Sequence, residues 1–223
     1  MNAAAPRGLR GRDLALVLVI CLAWAGNFLT SAYALREIPP LLFTAVRLAI
    51  LALVLCPFVR PPPRGQWPRL VAVAICNGVF HFALSFWALH LAGNLSSPAI
   101  VMQSYVPMAA LLAWWCLGER FGWRTGLAIA LSFAGVLVLG FDPMVLRAPA
   151  AVLLMLGAAL FLAIGTVLMR PLQGLGMVSQ QGWTAILGLL PLLGLSLALE
   201  PHAFDALRHA SWIGWGGAAY SAL

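Results

Sequence analysis

Apolar runs of about twenty residues alternate with short polar gaps along most of this 223-residue chain. The runs cover 14–35, 41–59, 70–91, 98–117, 123–141, 150–169 and 183–199, and an eighth opens near Trp212. A helix needs ~20 residues to cross ~30 Å of hydrocarbon, so each run approaches or exceeds one crossing. Lipid offers backbone groups no hydrogen-bond partner, which leaves the helix as the form each run must take. The weaker alternation of a membrane β-barrel is absent. The pattern predicts an all-α integral membrane bundle. From Trp212 only about twelve residues remain, ~18 Å of helix and too short to span, so the chain is expected to stop within helix 8.

Laying Trp24-Ala25-Gly26-Asn27-Phe28 over Leu162-Ala163-Ile164-Gly165-Thr166 also lays helix 2 over helix 7. The match is one of spacing and hydropathy rather than identity. Five helices separate the copies, an odd number, so the second enters the membrane from the opposite side. Inverted repeats of this kind are a signature of secondary transporters. The expected organisation is a first five-helix repeat over 1–145 and a second, truncated within helix 8, over 146–223.

Composition agrees with the pattern: 63% of residues are hydrophobic and 9% charged, and the mean hydropathy is +0.97. No soluble class has these values. The net charge of +7 does not point to nucleic acid, because the arginines are scattered over several short loops with no aromatic-interleaved stripe. Arg7, Arg10 and Arg12 precede helix 1, Arg60, Arg64 and Arg69 separate helices 2 and 3, Arg120 and Arg124 lie between 4 and 5, and Arg170 follows 6. The opposite loops hold Arg36, Arg147 and Arg208. By the positive-inside rule the amino terminus is expected in the cytoplasm of a cell bounded by an inner (plasma) membrane. Helix 1 is too long for a signal-peptide core, although Ala32-Tyr33-Ala34 has a cleavable form. Cys21, Cys56, Cys76 and Cys116 show no CxxC spacing and read as packing residues.

The run Leu22-Ala23-Trp24-Ala25-Gly26-Asn27-Phe28, then Ile38-Pro39-Pro40, Arg47 in helix 2, Pro107, and Leu117-Gly118-Glu119-Arg120 closing helix 4, resembles the EamA domain of the drug/metabolite transporter superfamily. Ala25 stands where that family often has Gly. The resemblance implies two inverted halves of five helices, a central cavity, and export of small metabolites such as amino acids.

Candidate cavity residues follow from helical spacing. Trp24, Asn27 and Ser31 share one stripe of helix 1, and Asn77, His81 and Ser85 share one of helix 3. A buried amide is costly unless paired, so these groups face protein or water: either an interhelical hydrogen bond or a substrate cavity. Gln103 precedes Pro107 by four residues, and the proline should bend helix 4 and free the carbonyl of Gln103, at a hinge or substrate site or as a plain kink. Pro191 poses the same question in helix 7. Arg47 lies at membrane depth, where it can snorkel outward, pair with Glu37, or bind a substrate carboxylate. Gly126, Ala130 and Ala134 form a small-residue stripe expected to pack closely on a neighbour.

The expected function is a transporter, and an exporter in particular, of small polar metabolites by alternating access, with a small-molecule substrate, the lipid bilayer as its surroundings and no cofactor or metal. A scaffold, or an intramembrane enzyme using His81 as base and Ser85 as nucleophile, are the alternatives, but no nucleophile elbow, metal cluster or paired carboxylate accompanies that pair. Asp13, Glu37, Glu119, Asp142, Glu200 and Asp205 all fall at helix ends or in loops. That leaves facilitated diffusion, or coupling through His81, rather than a buried acid. The chain alone is expected to be transport-incompetent, with helix 8 unfinished. Substrate and oligomeric state are not legible.

Overall fold

The structure, a computed structural model, describes residues 11–93, 96–139, 148–172 and 174–222. Arg7, Arg10, Asp142 and Arg147, which entered the charge pattern above, lie outside them, as does the end of the run at Phe141. The described residues form α1 (Gly11–Ala34), α2 (Pro40–Leu55), α3 (Trp67–Leu91), α4 (Ser96–Leu117), α5 (Trp123–Leu139), α6 (Pro149–Met169), α7 (Met177–Leu199), α8 (Ala203–His209) and α9 (Trp212–Ala222). Six of them, α1 to α4, α6 and α7, are long and apolar enough to cross a membrane, and α5 is a shorter apolar helix. The protein is an all-α membrane bundle.

Local chemistry sets the helix ends. Pro40 and Pro149 occupy first-turn positions of α2 and α6, where a missing N–H is harmless and φ is already helical. Gly118 stops α4 at φ 67°, a left-handed cap that turns the chain sharply towards α5. Two helices depart from simple α geometry. Residues Ala74–His81 of α3 are π-helical. α4 breaks at Gln103 and Ser104 between Ser96–Met102 and Tyr105–Leu117, as Pro107 leads one to expect. The Gln103 carbonyl freed by the proline accepts from the Val106 amide instead, at 3.2 Å. α7, by contrast, runs on through Pro191.

Packing is built from small residues, the usual means of close approach in lipid. α7 lies against α2 and α3, α6 against α3 and α4, and α9 fills the space between α1 and α2. Leu41, Ala45, Leu48, Val79, Ala83, Ala185 and Leu192 form the α2–α3–α7 core. Ala88, Val101, Met155, Ala158 and Ala159 form the α3–α4–α6 core. α1 meets α9 where a side chain at Gly217 would strike the Thr30 carbonyl at 2.8 Å. The stripe on α5 behaves otherwise than expected: Ala130 and Ala134 are exposed, and Gly126 has only Phe121 of its own approach within reach. α5 makes its main contacts with α4 alone, so small size brings no helix close there.

The two ends of the bundle are chemically distinct. At one, Glu119 after α4 pairs with Arg170 after α6, and Arg60 after α2 receives a bond from Trp183 Nε1 and gives its amide to Ser179 Oγ, both near the start of α7. At the other, Glu200 after α7 accepts from the Leu41 and Leu42 amides at the start of α2, at 2.7 and 2.9 Å. There too the Leu35 carbonyl meets His90 at 3.0 Å. Arg60, Arg64, Arg69, Arg120, Arg124 and Arg170 thus share one end. α1 and α6 run in opposite directions, as do α2 and α7.

Candidate functional site

Arg47 is the charged side chain set deepest in a spanning helix among the described residues. Its Nε donates to the backbone carbonyl of Ser221 on α9. Its guanidinium carbon lies 3.8 Å from the centroid of the Phe82 ring, a cation–π contact with α3. One terminal nitrogen, Nη1, is buried without a hydrogen-bond partner, and so is Ser221 Oγ. Arg47 therefore neither snorkels outward nor pairs with Glu37. The Glu37 carboxylate instead accepts from the Ser211 amide at 2.7 Å and the Ser211 hydroxyl at 2.9 Å. The reason is positional: the Ser211 amide and hydroxyl, just before α9, offer the carboxylate fixed donors beside the turn that follows α1.

The stripe on α3 turns towards α6. The π-helical stretch carries both Asn77 and His81, and such segments recur at functional sites because they shift side chains out of α register. Asn77 lies against Gly165, where an added Cβ would overlap Asn77 Oδ1 and Cγ. That oxygen is buried and has no partner. His81 is buried, and its Nδ1 donates to the Ala158 carbonyl at 3.0 Å, which leaves Nε2 as an acceptor. Its ring is 4.6 Å from that of Phe82, whose face Arg47 covers. Ser85 is buried and donates to the Phe82 carbonyl of its own helix at 3.3 Å.

The remaining candidates stand on other contacts. On α1, Ser31 Oγ donates to Asn27 Oδ1 at 3.2 Å, with Ser31 buried and Asn27 half-buried. Trp24 is exposed. On α4, Pro107 is buried at the break and Gln103 is exposed. The structure thus gathers Arg47, Asn77, His81, Phe82 and Ser221 around α3, and keeps Trp24, Asn27 and Ser31 on α1 and Gln103 and Pro107 on α4. Among the described residues, no three His, Cys, Asp or Glu side chains come together as a metal site.

Sequence reasoning missed three members. Phe82 read as one more apolar residue, although a position next to His81 on a helix carrying a polar stripe was a usable signal. Ser221 lies in the short final helix, where no periodicity can be established. Gly165 was marked only as the residue opposite Asn27 in the repeat region, with no sign that it is the small residue that admits Asn77.

Residues 12–141 match the family described as the EamA-like transporter family. The chain is 25% identical over 198 residues to a probable amino-acid metabolite efflux pump of Escherichia coli, covering 86% of this chain and 66% of that protein. It is 30% identical over 168 residues to an uncharacterised transporter, YvbV, of Bacillus subtilis, covering 71% and 54% respectively. A probable amino-acid metabolite efflux pump of Salmonella typhimurium is 27% identical over 195 residues, covering 85% and 65%. The chain thus spans between about half and two thirds of the length of these relatives. No solved structure matches it.

Proposed function

Because the chain belongs to the EamA-like transporter family, we propose that it exports small polar metabolites, amino acids among them, across the plasma membrane by alternating access. The observation that carries this reading is the polar group of Arg47, Asn77 and His81 inside an apolar bundle, in which His81 is buried and two single atoms, Arg47 Nη1 and Asn77 Oδ1, are buried without partners. Polar groups held unsatisfied at membrane depth mark substrate paths more readily than they mark stable packing. The names of the relatives in Escherichia coli and Salmonella typhimurium support amino-acid metabolites as the cargo class.

The two inverted repeats, 1–145 and 146–223, supply the moving parts in this reading. The opposed directions of α1 and α6, and of α2 and α7, support it, and so does the position of the polar group where α2 and α3 of the first repeat meet α6 and α9 of the second. Asn27, Ser31, Gln103 and Pro107 border the path on α1 and α4, with Trp24 at its margin. Expression of the protein in a bacterium overloaded with an amino acid should raise that amino acid in the medium and lower it in the cell. Equal levels with and without the protein, for a panel of amino acids, would count against export.

The arginine-rich end is cytoplasmic in this proposal, and the amino terminus with it. Alkaline phosphatase fused in the 60–69 loop should be inactive, and the same enzyme fused between α7 and α8 should be active. The reverse result would invert the topology.

A further inference from the structure

We infer that Arg47 and Ser221 form a binding site for a single carboxylate, with the Phe82 ring as its floor; the inference rests on the transport reading and names the chemical class of its substrate. A guanidinium has five N–H donors in a planar fork that matches the two oxygens of a carboxylate. In Arg47 the Nε donor is taken by the Ser221 carbonyl. Its face is covered by Phe82 at 3.8 Å, and Nη1 is buried and unpartnered. The second unmet group, Ser221 Oγ, belongs to the same residue that accepts from Nε. Two donors without acceptors therefore belong to a pair of residues joined by a hydrogen bond between α2 and α9, and Ser221 is only 4% exposed.

The charge there is also unbalanced. Glu37 is held by Ser211, Glu200 by Leu41, Leu42 and Ser196, Glu119 by Arg170, and Asp205 by Arg208 and His202. None of these acids reaches Arg47. A charge set among apolar helices is costly without a counter-charge, which a bound carboxylate would supply. A single arginine with one hydroxyl balances one negative charge, which fits a carboxylate better than a doubly charged phosphate. In this conformation Nη1 is buried. The carboxylate takes Nη1 and the Ser221 hydroxyl, and the Ser221 carbonyl keeps Nε. The rings behind Phe82, with Phe86 stacked at 5.9 Å and Phe43 edge-on to Phe86 at 4.9 Å, give that floor an aromatic backing.

The test compares equilibrium binding of radiolabelled phenylacetate and phenylacetamide, alike in shape and different in charge, to the protein in lipid nanodiscs. Phenylacetate should bind at least tenfold more tightly, Arg47→Gln should abolish the difference, and Arg47→Lys should keep part of it. Should Arg47→Gln fail to fold, Ser221→Ala carries the test, since it removes an unpartnered hydroxyl and keeps the backbone carbonyl; a several-fold loss of the preference is expected. Equal binding of the two compounds, no saturable binding of phenylacetate, or a preference untouched by these variants would overturn the site. Carboxylate-selective binding without metabolite flux would instead sink the transport reading and keep the site. Flux indifferent to carboxylates would do the opposite.

Discussion

Replacing Gly165 by alanine should destabilise the bundle by about 1–3 kcal/mol, the usual penalty for overfilling a packed interface, and replacing Asn77 by alanine should relieve most of that loss. A Cβ added at Gly165 would overlap Asn77 Oδ1 and Cγ and fall 2.8 Å from Nδ2, and rotation of the amide about its own axis leaves Cγ in place. Asparagine has too short a stem to move its head away while Cα stays in the π-helical segment. Asn77→Ala alone should be nearly neutral, because it also removes a buried acceptor that has no partner. Unfolding in sodium dodecyl sulfate, followed by circular dichroism, would give the four corners of the double-mutant cycle. A coupling of about 0.5–3 kcal/mol is expected for residues in contact. Additive effects would mean that Asn77 does not occupy the space Gly165 leaves.

The second large effect is expected at Glu200. Its two oxygens accept from the amides of Leu41 and Leu42, the first free donors of α2 after Pro40, and Ser196 donates a third bond to Oε2 at 2.8 Å. Leu41 and Leu42 are 2% and 1% exposed, so water cannot replace the carboxylate. Glu200→Ala leaves both donors unmet, at about 1–3 kcal/mol each. Glu200→Gln keeps one oxygen as an acceptor and should lose about half as much. The same unfolding titration separates the two. If alanine and glutamine behaved alike, the helix-capping role of the carboxylate would be wrong, and side-chain packing would be the cause.

The helices themselves were legible because hydropathy and the span of the bilayer dictate them. Runs at 70–91, 98–117 and 150–169 fall inside Trp67–Leu91, Ser96–Leu117 and Pro149–Met169. The run at 183–199 starts six residues later than Met177–Leu199, because Ser179, Gln180 and Gln181 lower the hydropathy without ending the helix. α8 was not foreseen, being seven residues of a linker. The proline at 107 foretold the break in α4, whereas the π-helical stretch in α3 left no trace, since hydrogen-bond register is not written in hydropathy. The candidate site was legible as depth but not as partnership. Arg47 was seen to lie at membrane depth, yet which group would meet it depended on α9, whose Ser221 is brought beside α2 only by tertiary packing. The polar stripe on α3 was likewise visible, and its direction, towards Ala158 and Gly165 of α6, was not.

The central claim is that this bundle belongs to a transporter of small metabolites, and flux of a radiolabelled amino-acid panel in liposomes containing the complete purified protein tests it most directly. Among the described residues no carboxylate lies inside a spanning helix away from its ends, so the flux should be saturable and should stop at equal concentrations, with or without an imposed pH gradient. Flux no greater than that of empty liposomes for every member of the panel would contradict the claim.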